Sequence, residues 1–276
     1  DKAQNKSYPK PIGKIAGIDD FYTISQDFSD GTFDSKAIEK EYLAKDIERE
    51  YSAVLKQTID SINNHESLSN SLRNNLAVHV AIQFLRTKEV RDKEENVLND
   101  FLPKMINLFK EGLAVEKNDS KIAELGVSYK YDSAMYHFHS SFGNEDVINT
   151  FARNLASNYW NFYYSSSPVY YTSRFPIVVN PHDADAIPLC LGLTQYGAEL
   201  SFPISPNIML VIWDREFFKG KASTDGEIIV ATDKDIRKYN WMRYFYAEQV
   251  FSHTNDFSAL DFIYRIKGKH DSYKYQ

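Results

Sequence analysis

Apolar residues in the first part of the chain repeat at helical spacing. Between residues 35 and 63 they recur every three to five positions, which predicts a helix with Asp34 or Ser35 as its N-cap. A second helix is predicted from Ser69 to at least Arg91. Its centre, LAVHVAIQFL, is apolar on nearly all sides, which indicates a helix buried in the middle of the fold. Residues 96–112 predict a third helix, and residues 113–132 a surface connection.

The pattern changes in the second part of the chain. Asn144 begins a predicted helix whose apolar rhythm continues through Tyr159 and Trp160. The segments that follow are short, β-branched or aromatic, and are separated by Ser, Pro, Gly and Asp, which is typical of strands. They are WNFYY, VYYTS, PIVVN, ELSFPI, IMLVIW and EIIVA. Thr232, with Asp235 three residues later, begins a last long helix through Phe251. Residues 1–33, with KIAGI and FYTIS, are interpreted as extended structure and turns.

This order of elements predicts the fold class. Helices, then strands, then a helix favour an α+β fold over a doubly wound parallel sheet. We expect an N-terminal helical half with a buried central helix, packed on a mostly antiparallel C-terminal sheet and closed by a long helix. The chain is predicted to form a single domain, 1–276, with a mainly helical half over 1–126 and the helix, strands and helix over 144–276.

Composition narrows the class of protein. The chain has 276 residues, of which 43% are hydrophobic and 25% charged, as in soluble globular proteins. No apolar run approaches the roughly 20 residues that a membrane helix needs, so no membrane partner is expected. The single cysteine, Cys190, lies in an apolar setting and predicts a buried, inert thiol. Without an apolar leader core in the first residues, the default location is cytoplasmic.

The net charge of −6 disfavours nucleic acid as a partner but does not exclude it, because a local basic patch can suffice. The basic residues near the end of the chain are interpreted as a solvated tail. They are Arg265, Lys267, Lys269 and Lys274. The oligomeric state is left open.

Motifs with a defined chemistry are missing from the sequence. It contains no Gly-rich phosphate loop, GxSxG, CxxC or HExxH. His137 and His139 could ligate a metal if extended, but no third ligand stands at a suitable spacing, so neither a metal nor a cofactor is predicted. His182 and Asp183 could form an acid–base pair, although the surrounding NPHDAD favours a plain turn.

A polar stripe on the second helix is the strongest chemical signal. His79, Gln83 and Arg86 share one helical face among apolar neighbours. A buried Arg must be paired, and Glu48 on the first helix is the predicted partner, within salt-bridge distance and mostly buried. The pair could be a structural bridge between two helices. It could also belong to a site for a carboxylate or phosphate, which Arg binds in a bidentate way.

Five segments in a fixed order resemble a protein family. They are EREYSAVL, AIQFLRTKEVRD, YYTSRFPIVV, ELSFPISPNIMLVI and KYNWMRYFYAEQVFS. Together they resemble the bacterial domain-of-unknown-function family 4238 over roughly residues 15 to 260. The family has no established activity, so the resemblance implies an architecture and candidate positions. The positions that match the family pattern are Glu48, Gln83, Arg86, Thr172, Ser173, Pro176, Phe202, Pro203, Ser205, Pro206 and Asn240.

The chain departs from the family pattern at two places. Arg174-Phe175 stands where the family usually has Asp-Asn, which puts a catalytic role for that acid in doubt. The family's usual opening His-Tyr-Val-Pro segment has no counterpart here, which leaves open whether the sequence is truncated at its N-terminus.

Three functional hypotheses follow. The first is a binding protein that holds a small anionic molecule or a peptide carboxylate. Its candidate ligand-binding residues are Glu48, His79, Gln83, Arg86, Thr172, Ser173 and Asn240, with the Thr172 and Ser173 hydroxyls lining a pocket opposite the Arg helix. The second is a hydrolase acting on phosphodiesters or nucleic acid, with His79 or the missing histidine in its site. The third is a purely structural or interaction protein. The sequence does not decide whether the protein is an enzyme.

Overall fold

The computed structural model describes residues 18–28, 34–183, 192–247, 249–254 and 256–260. Within them a π-helical segment, Ile38–Ile47, leads directly into the first α-helix. The α-helices are α1 (Glu48–Asn63), α2 (Asn70–Leu85), α3 (Lys88–Lys117), α4 (Ser133–His137), α5 (Glu145–Ser157) and α6 (Asp233–Tyr246). The strands are β1 (Tyr159–Tyr164), β2 (Val178–Pro181), β3 (Ala198–Ser205), β4 (Ile208–Trp213) and β5 (Glu227–Val230).

The five strands form one sheet in the order β2-β3-β4-β1-β5. All neighbours are antiparallel except β1 and β5, which are parallel. With the helical N-terminal half, this confirms the α+β class and the mostly antiparallel sheet.

The two faces of the sheet are covered by different helices. Leu200 and Phe202 on β3 lie in the same buried cluster as residues of α2 and α5. On the other face, Met209 and Val211 of β4 pack with Tyr239 and Met242 of α6. The helical half and the sheet therefore share a core, and the single-domain organisation over 1–276 stays a prediction.

The predicted second helix is in fact two helices. α2 ends at Leu85, whereas the sequence predicted a helix through Arg86 and on to Arg91. Thr87 adopts an extended backbone, and its hydroxyl donates to the Phe84 carbonyl at 2.8 Å. The Arg86 carbonyl accepts from the Tyr22 hydroxyl at 2.7 Å instead of from a later helical N–H. α3 begins at Lys88 and carries Pro103 in its interior.

Three further boundaries differ from the prediction. α5 ends at Ser157, and Tyr159 and Trp160 start β1 because Asn158 is already extended. The VYYTS segment is not a strand: the Tyr171 N–H donates to the Asn240 side chain, and one isolated bridge joins Thr172 to Phe251. The last helix ends at Tyr246 rather than Phe251.

Local signals at the helix starts were predicted more accurately. Asn144 caps α5 through its side-chain oxygen. Thr232 and Asp235 form a reciprocal capping box at the start of α6. The predicted N-cap at Asp34 or Ser35 is wrong: Ala37 precedes the π-helical segment and gives no side-chain cap, and Asp34 accepts from the Lys36 N–H ahead of it. Residues 21–25 form turns and irregular backbone, as the sequence predicts, and most of KIAGI lies outside the described residues. Cys190 and the basic tail lie outside the described residues.

Candidate functional site

The predicted ion pair between α1 and α2 forms, but at the surface. Arg86 Nη1 lies 3.5 Å from Glu48 Oε1. The Arg86 side chain is 22% exposed and the Glu48 side chain 56% exposed, so the prediction that the pair is mostly buried is wrong. The reason is positional: Glu48 lies on an exposed side of the continuous helix over 38–63, and Arg86 is the residue that follows the last turn of α2.

Of the other two stripe residues, His79 contacts α1. His79 is buried, with its ring 5.3 Å from the Tyr51 ring. Its Nδ1 has no hydrogen-bond partner among the described residues, and burial lowers the pKa of the imidazole below its usual 6.5. His79 is therefore neutral near pH 7. Gln83 is half-buried one turn further along.

The remaining predicted residues lie beside α6. Asn240 is fully buried, accepts from the Tyr171 N–H at 2.9 Å and donates to the Val169 carbonyl at 2.7 Å. Ser173 is buried, and its hydroxyl donates to the Phe175 carbonyl. Asn240 on α6 thus holds residues 169–171 against this helix through two hydrogen bonds.

The predicted site residues fall into two groups. Glu48 and Arg86 contact each other on the α1–α2 side, whereas the hydrogen bonds of Ser173 and Asn240 go to residues 169–175. Phe175 contacts both groups: its carbonyl accepts from the Ser173 hydroxyl, and its ring lies 5.7 Å from the Phe84 ring on α2.

A second polar assembly, absent from the sequence predictions, lies between the sheet and α6. We call it the Glu199 cluster: Glu199, His182, Lys238, Asn180 and Tyr239. Glu199 is fully buried on β3, and its Oε2 lies 2.7 Å from His182 Nε2 and 3.4 Å from Asn180 Nδ2. Lys238 Nζ on α6 donates to Glu199 Oε1. A buried carboxylate is tolerated because these donors replace its water.

Strand register and capping place these side chains together. Asn180, Glu199 and Trp213 are neighbours across β2, β3 and β4, so their side chains share the sheet face that α6 covers. His182 directly follows β2, and its N–H donates to the Gly197 carbonyl at 3.0 Å. Lys238 stands less than two turns into α6.

The cluster opens toward solvent at an aromatic rim. The side chains of His182 and Lys238 are 34% and 38% exposed, whereas the Glu199 side chain is fully buried. Lys221 Nζ lies 4.4 Å from the Trp213 ring centre and Lys238 Nζ 5.2 Å from it. The His182 ring lies 5.1 Å from the Phe218 ring. Two ammonium groups therefore lie against the buried Trp213 indole, and the His182 ring reaches the same place through Phe218, which also contacts Trp213.

Asn161 holds the rim in position. It is fully buried, accepts from the Trp213 indole N–H at 3.0 Å and donates to the Thr224 carbonyl at 2.6 Å. Thr224 ends the 3₁₀ segment Lys219–Thr224, which carries Lys221. One buried amide thus fixes both the indole and the segment that bears the second ammonium.

The space between the sheet and α6 is polar beyond the cluster. Arg243 is fully buried and donates to the carbonyls of Phe175 and Ser201, each at 3.1 Å. Burial lowers the pKa of its guanidinium to about 9, which still leaves it charged at neutral pH. Burial, with the Glu199 charge adding to it, raises the pKa of Tyr239. This concentration of buried charge is unusual for a sheet interior.

Sequence reasoning missed Glu199 because its pattern is ambiguous. In ELSFPI, Glu199 and Ser201 alternate with apolar residues, which usually marks a solvent-facing side of a strand. Only the later α6, which covers that face, buries them. His182 was considered with Asp183 and interpreted as part of a turn, whereas the structure pairs it with Glu199.

Two other features were tested for a site. His137 ends α4 and His139 lies in the π-helical segment Phe138–Phe142, so the two do not share a strand face, and His137 Nδ1 is 2.7 Å from Glu94 Oε2. Across the described residues, no three His, Cys, Asp or Glu side chains group as metal ligands. A cleft of about 300 Å³ beside α6 is lined by Asp233, Arg237 and Asp256 among others, but by none of the predicted site residues.

The fold and the cluster define an α+β protein with a polar site between its sheet and its closing helix. The chain belongs to the family described as a protein of unknown function, DUF4238, whose family model matches residues 1–256. Comparison with curated proteins finds no match, and comparison with solved structures finds none. Within the described ranges, no helix is both long and apolar enough to cross a bilayer.

Proposed function

We propose that the protein binds a small anionic ligand, a carboxylate or phosphate, at the mouth of the Glu199 cluster. The observation that carries the proposal is a fully buried carboxylate that holds two partly exposed donors, His182 and Lys238, at a surface opening. Such an arrangement fixes the two side chains before any ligand arrives, which reduces the entropy lost on binding.

The local charge favours an anion. The ammonium groups of Lys221 and Lys238 lie at the mouth of the cluster, and the one negative charge of Glu199 is buried behind them. The nearby Asp214 carboxylate accepts from the backbone N–H groups of Gly197 and Phe217. The Phe217 ring, which is 38% exposed and 6.4 Å from the His182 ring, offers an apolar surface for the rest of the ligand.

The sequence-based location for the same ligand class is Arg86 with Glu48. The partly exposed Arg86 supports it, but Glu48 already occupies one side of the guanidinium. Arg86→Met therefore distinguishes the two locations, since it touches no residue of the Glu199 cluster.

A thermal-shift panel tests the proposal. The probes are inorganic phosphate, succinate and a short peptide with a free C-terminal carboxylate. We expect at least one to raise the Tm of the wild type, of Arg86→Met and of the surface control Lys45→Met, because a ligand that binds only the folded state stabilises it. Lys221→Met and Lys238→Met should lose that rise. No rise with any probe, or a loss confined to Arg86→Met, would contradict binding at the cluster.

Hydrolysis of phosphodiesters is the second candidate, and the 2.7 Å contact between His182 Nε2 and Glu199 supports it. A carboxylate on Nε2 orients the ring and leaves Nδ1 for proton transfer, the arrangement of a general base. Turnover of bis(4-nitrophenyl) phosphate that is lost in His182→Gln and kept in Lys45→Met would favour this function over binding alone. The bacterial origin and cytoplasmic location expected from the sequence remain part of the proposal.

A further inference from the structure

The long helix α3 carries an exposed apolar stripe. We call it the α3 stripe: Val97, Phe101, Met105, Leu108 and Val115, which are 67%, 58%, 46%, 64% and 83% exposed. At 100° per residue they fall within about 80° of one another on the helix surface. Single exposed apolar residues are common, but a continuous stripe of large ones marks an interaction surface.

The start of the helix is fixed to the rest of the protein. Arg91 donates to the Phe21 carbonyl and to the Ser133 hydroxyl, and Glu94 accepts from His137. From Asn96 onward the stripe side of the helix has no cover among the described residues. Leu125 and Val127, in the segment that follows α3, are also more than half exposed.

Four exposed charged residues lie along one side of the α3 stripe and indicate which partner packs on it. Lys93, Asp100, Lys104 and Glu111 alternate in sign, are all exposed, and lie within about 40° of one another. None of the four has an ion-pair partner among the described residues. The four positions are spaced by seven, four and seven residues. Leu102 is therefore the midpoint of the outer two, Lys93 and Glu111, and also of the inner two, Asp100 and Lys104.

This antisymmetric pattern matches a second copy of the same helix running the other way. In an antiparallel pair the same flank of each helix faces its counterpart, so Lys93 meets Glu111 and Asp100 meets Lys104, each twice. The part of the stripe from Val97 to Leu108 has nearly the same midpoint, so the apolar residues overlap in the same register. A parallel pair would place this flank against the opposite one, and the four charges would not meet.

We propose that α3 is a homodimer interface in which two copies of the chain pack their α3 stripes antiparallel about Leu102. The two-fold symmetry makes the surface self-complementary, as isologous interfaces require. The charge pairs set direction and register, and the apolar stripe supplies the association energy. This interface is separate from the Glu199 cluster and does not depend on its function.

Sedimentation equilibrium on the full chain tests the interface. We expect reversible association to twice the 31.9 kDa chain mass. Phe101→Ser with Leu108→Ser should abolish it, with unchanged far-UV circular dichroism because both residues are exposed. The matched control is Val230→Ser, an exposed apolar residue on β5 that is 73% exposed and should leave association unchanged. A monomer at all concentrations, or a dimer unaffected by the stripe variant, would overturn the proposal.

A charge swap tests the antiparallel register. Lys104→Glu alone or Asp100→Lys alone should raise the dimer dissociation constant about tenfold, because each sets like charges opposite one another. Mixing the two single variants should form heterodimers preferentially, since each glutamate or aspartate then meets a lysine. Equal association of each variant with itself and with the other would refute this register. If the chain is a monomer that binds lipid vesicles through the stripe, the stripe is a membrane-binding surface instead.

Discussion

Replacing Trp160 with alanine is expected to lower the free energy of unfolding by about 4 kcal/mol. Trp160 is 1% exposed at the start of β1, within the core shared by α2, α5 and the sheet. Its indole N–H donates to the Leu155 carbonyl at 2.8 Å, and the Arg73 guanidinium lies 5.0 Å from its ring centre. The substitution therefore removes a large apolar side chain and one of the two donors to the Leu155 carbonyl, which keeps the Asn158 backbone N–H.

Urea unfolding followed by circular dichroism measures this loss. The matched control is Trp241→Ala on α6, where the indole is 47% exposed, and a change within about 0.5 kcal/mol is expected. Equal losses for the two tryptophans would show that β1 is not anchored in the core as described.

Replacing Asp225 with alanine should be the next most damaging change, at about 3 kcal/mol. Its carboxylate accepts from both terminal nitrogens of Arg73, at 3.0 and 3.1 Å, and from the Trp160 N–H at 2.7 Å. The ion pair is mostly buried and joins α2 to the turn before β5. Removing the acid takes this acceptor from Arg73 Nη1 and from the Trp160 backbone N–H, while Arg73 Nη2 keeps its hydrogen bond to the Asn158 carbonyl.

The control for Asp225 is Asp92→Ala, which removes the exposed partner of Lys88 on α3. Exposed ion pairs contribute little, so we expect at most about 0.5 kcal/mol. Because Trp160 and Asp225 share Arg73, the double variant should lose less than the sum of the two single losses. A loss for Asp225→Ala as small as that of Asp92→Ala would contradict a structural role for the Arg73–Asp225 pair.

Elements defined by short-range chemistry could be predicted from the sequence. The Thr232–Asp235 capping box and the Asn144 cap involve residues within a single turn, so the local sequence is enough to predict them. The all-round apolar character of α2 correctly predicted the buried central helix, since no solvent-facing side remains for it.

Features that depend on distant partners could not be predicted. The break at Arg86 involves Tyr22, which is 64 residues away. The Tyr22 hydroxyl donates to the Arg86 carbonyl, which would accept from a backbone N–H if the helix continued. The Glu199 cluster joins residues from β2, β3 and α6, and neither the turn-like NPHDAD nor the alternating ELSFPI indicates that they meet. The Glu48–Arg86 pairing was predicted from the charge on each helix, but its exposure depends on where α2 ends.

The central claim is that the Glu199 cluster is a functional site rather than a stabilising one. The free energy of unfolding of the Glu199→Met, Lys238→Met double variant, measured in urea, tests it most directly. Replacing both members of a buried ion pair with apolar residues of similar size is often neutral or stabilising. We predict a value within about 1 kcal/mol of the wild type or above it, together with loss of the anion-induced rise in Tm. A loss of several kcal/mol would contradict the claim and identify the cluster as part of what holds α6 on the sheet.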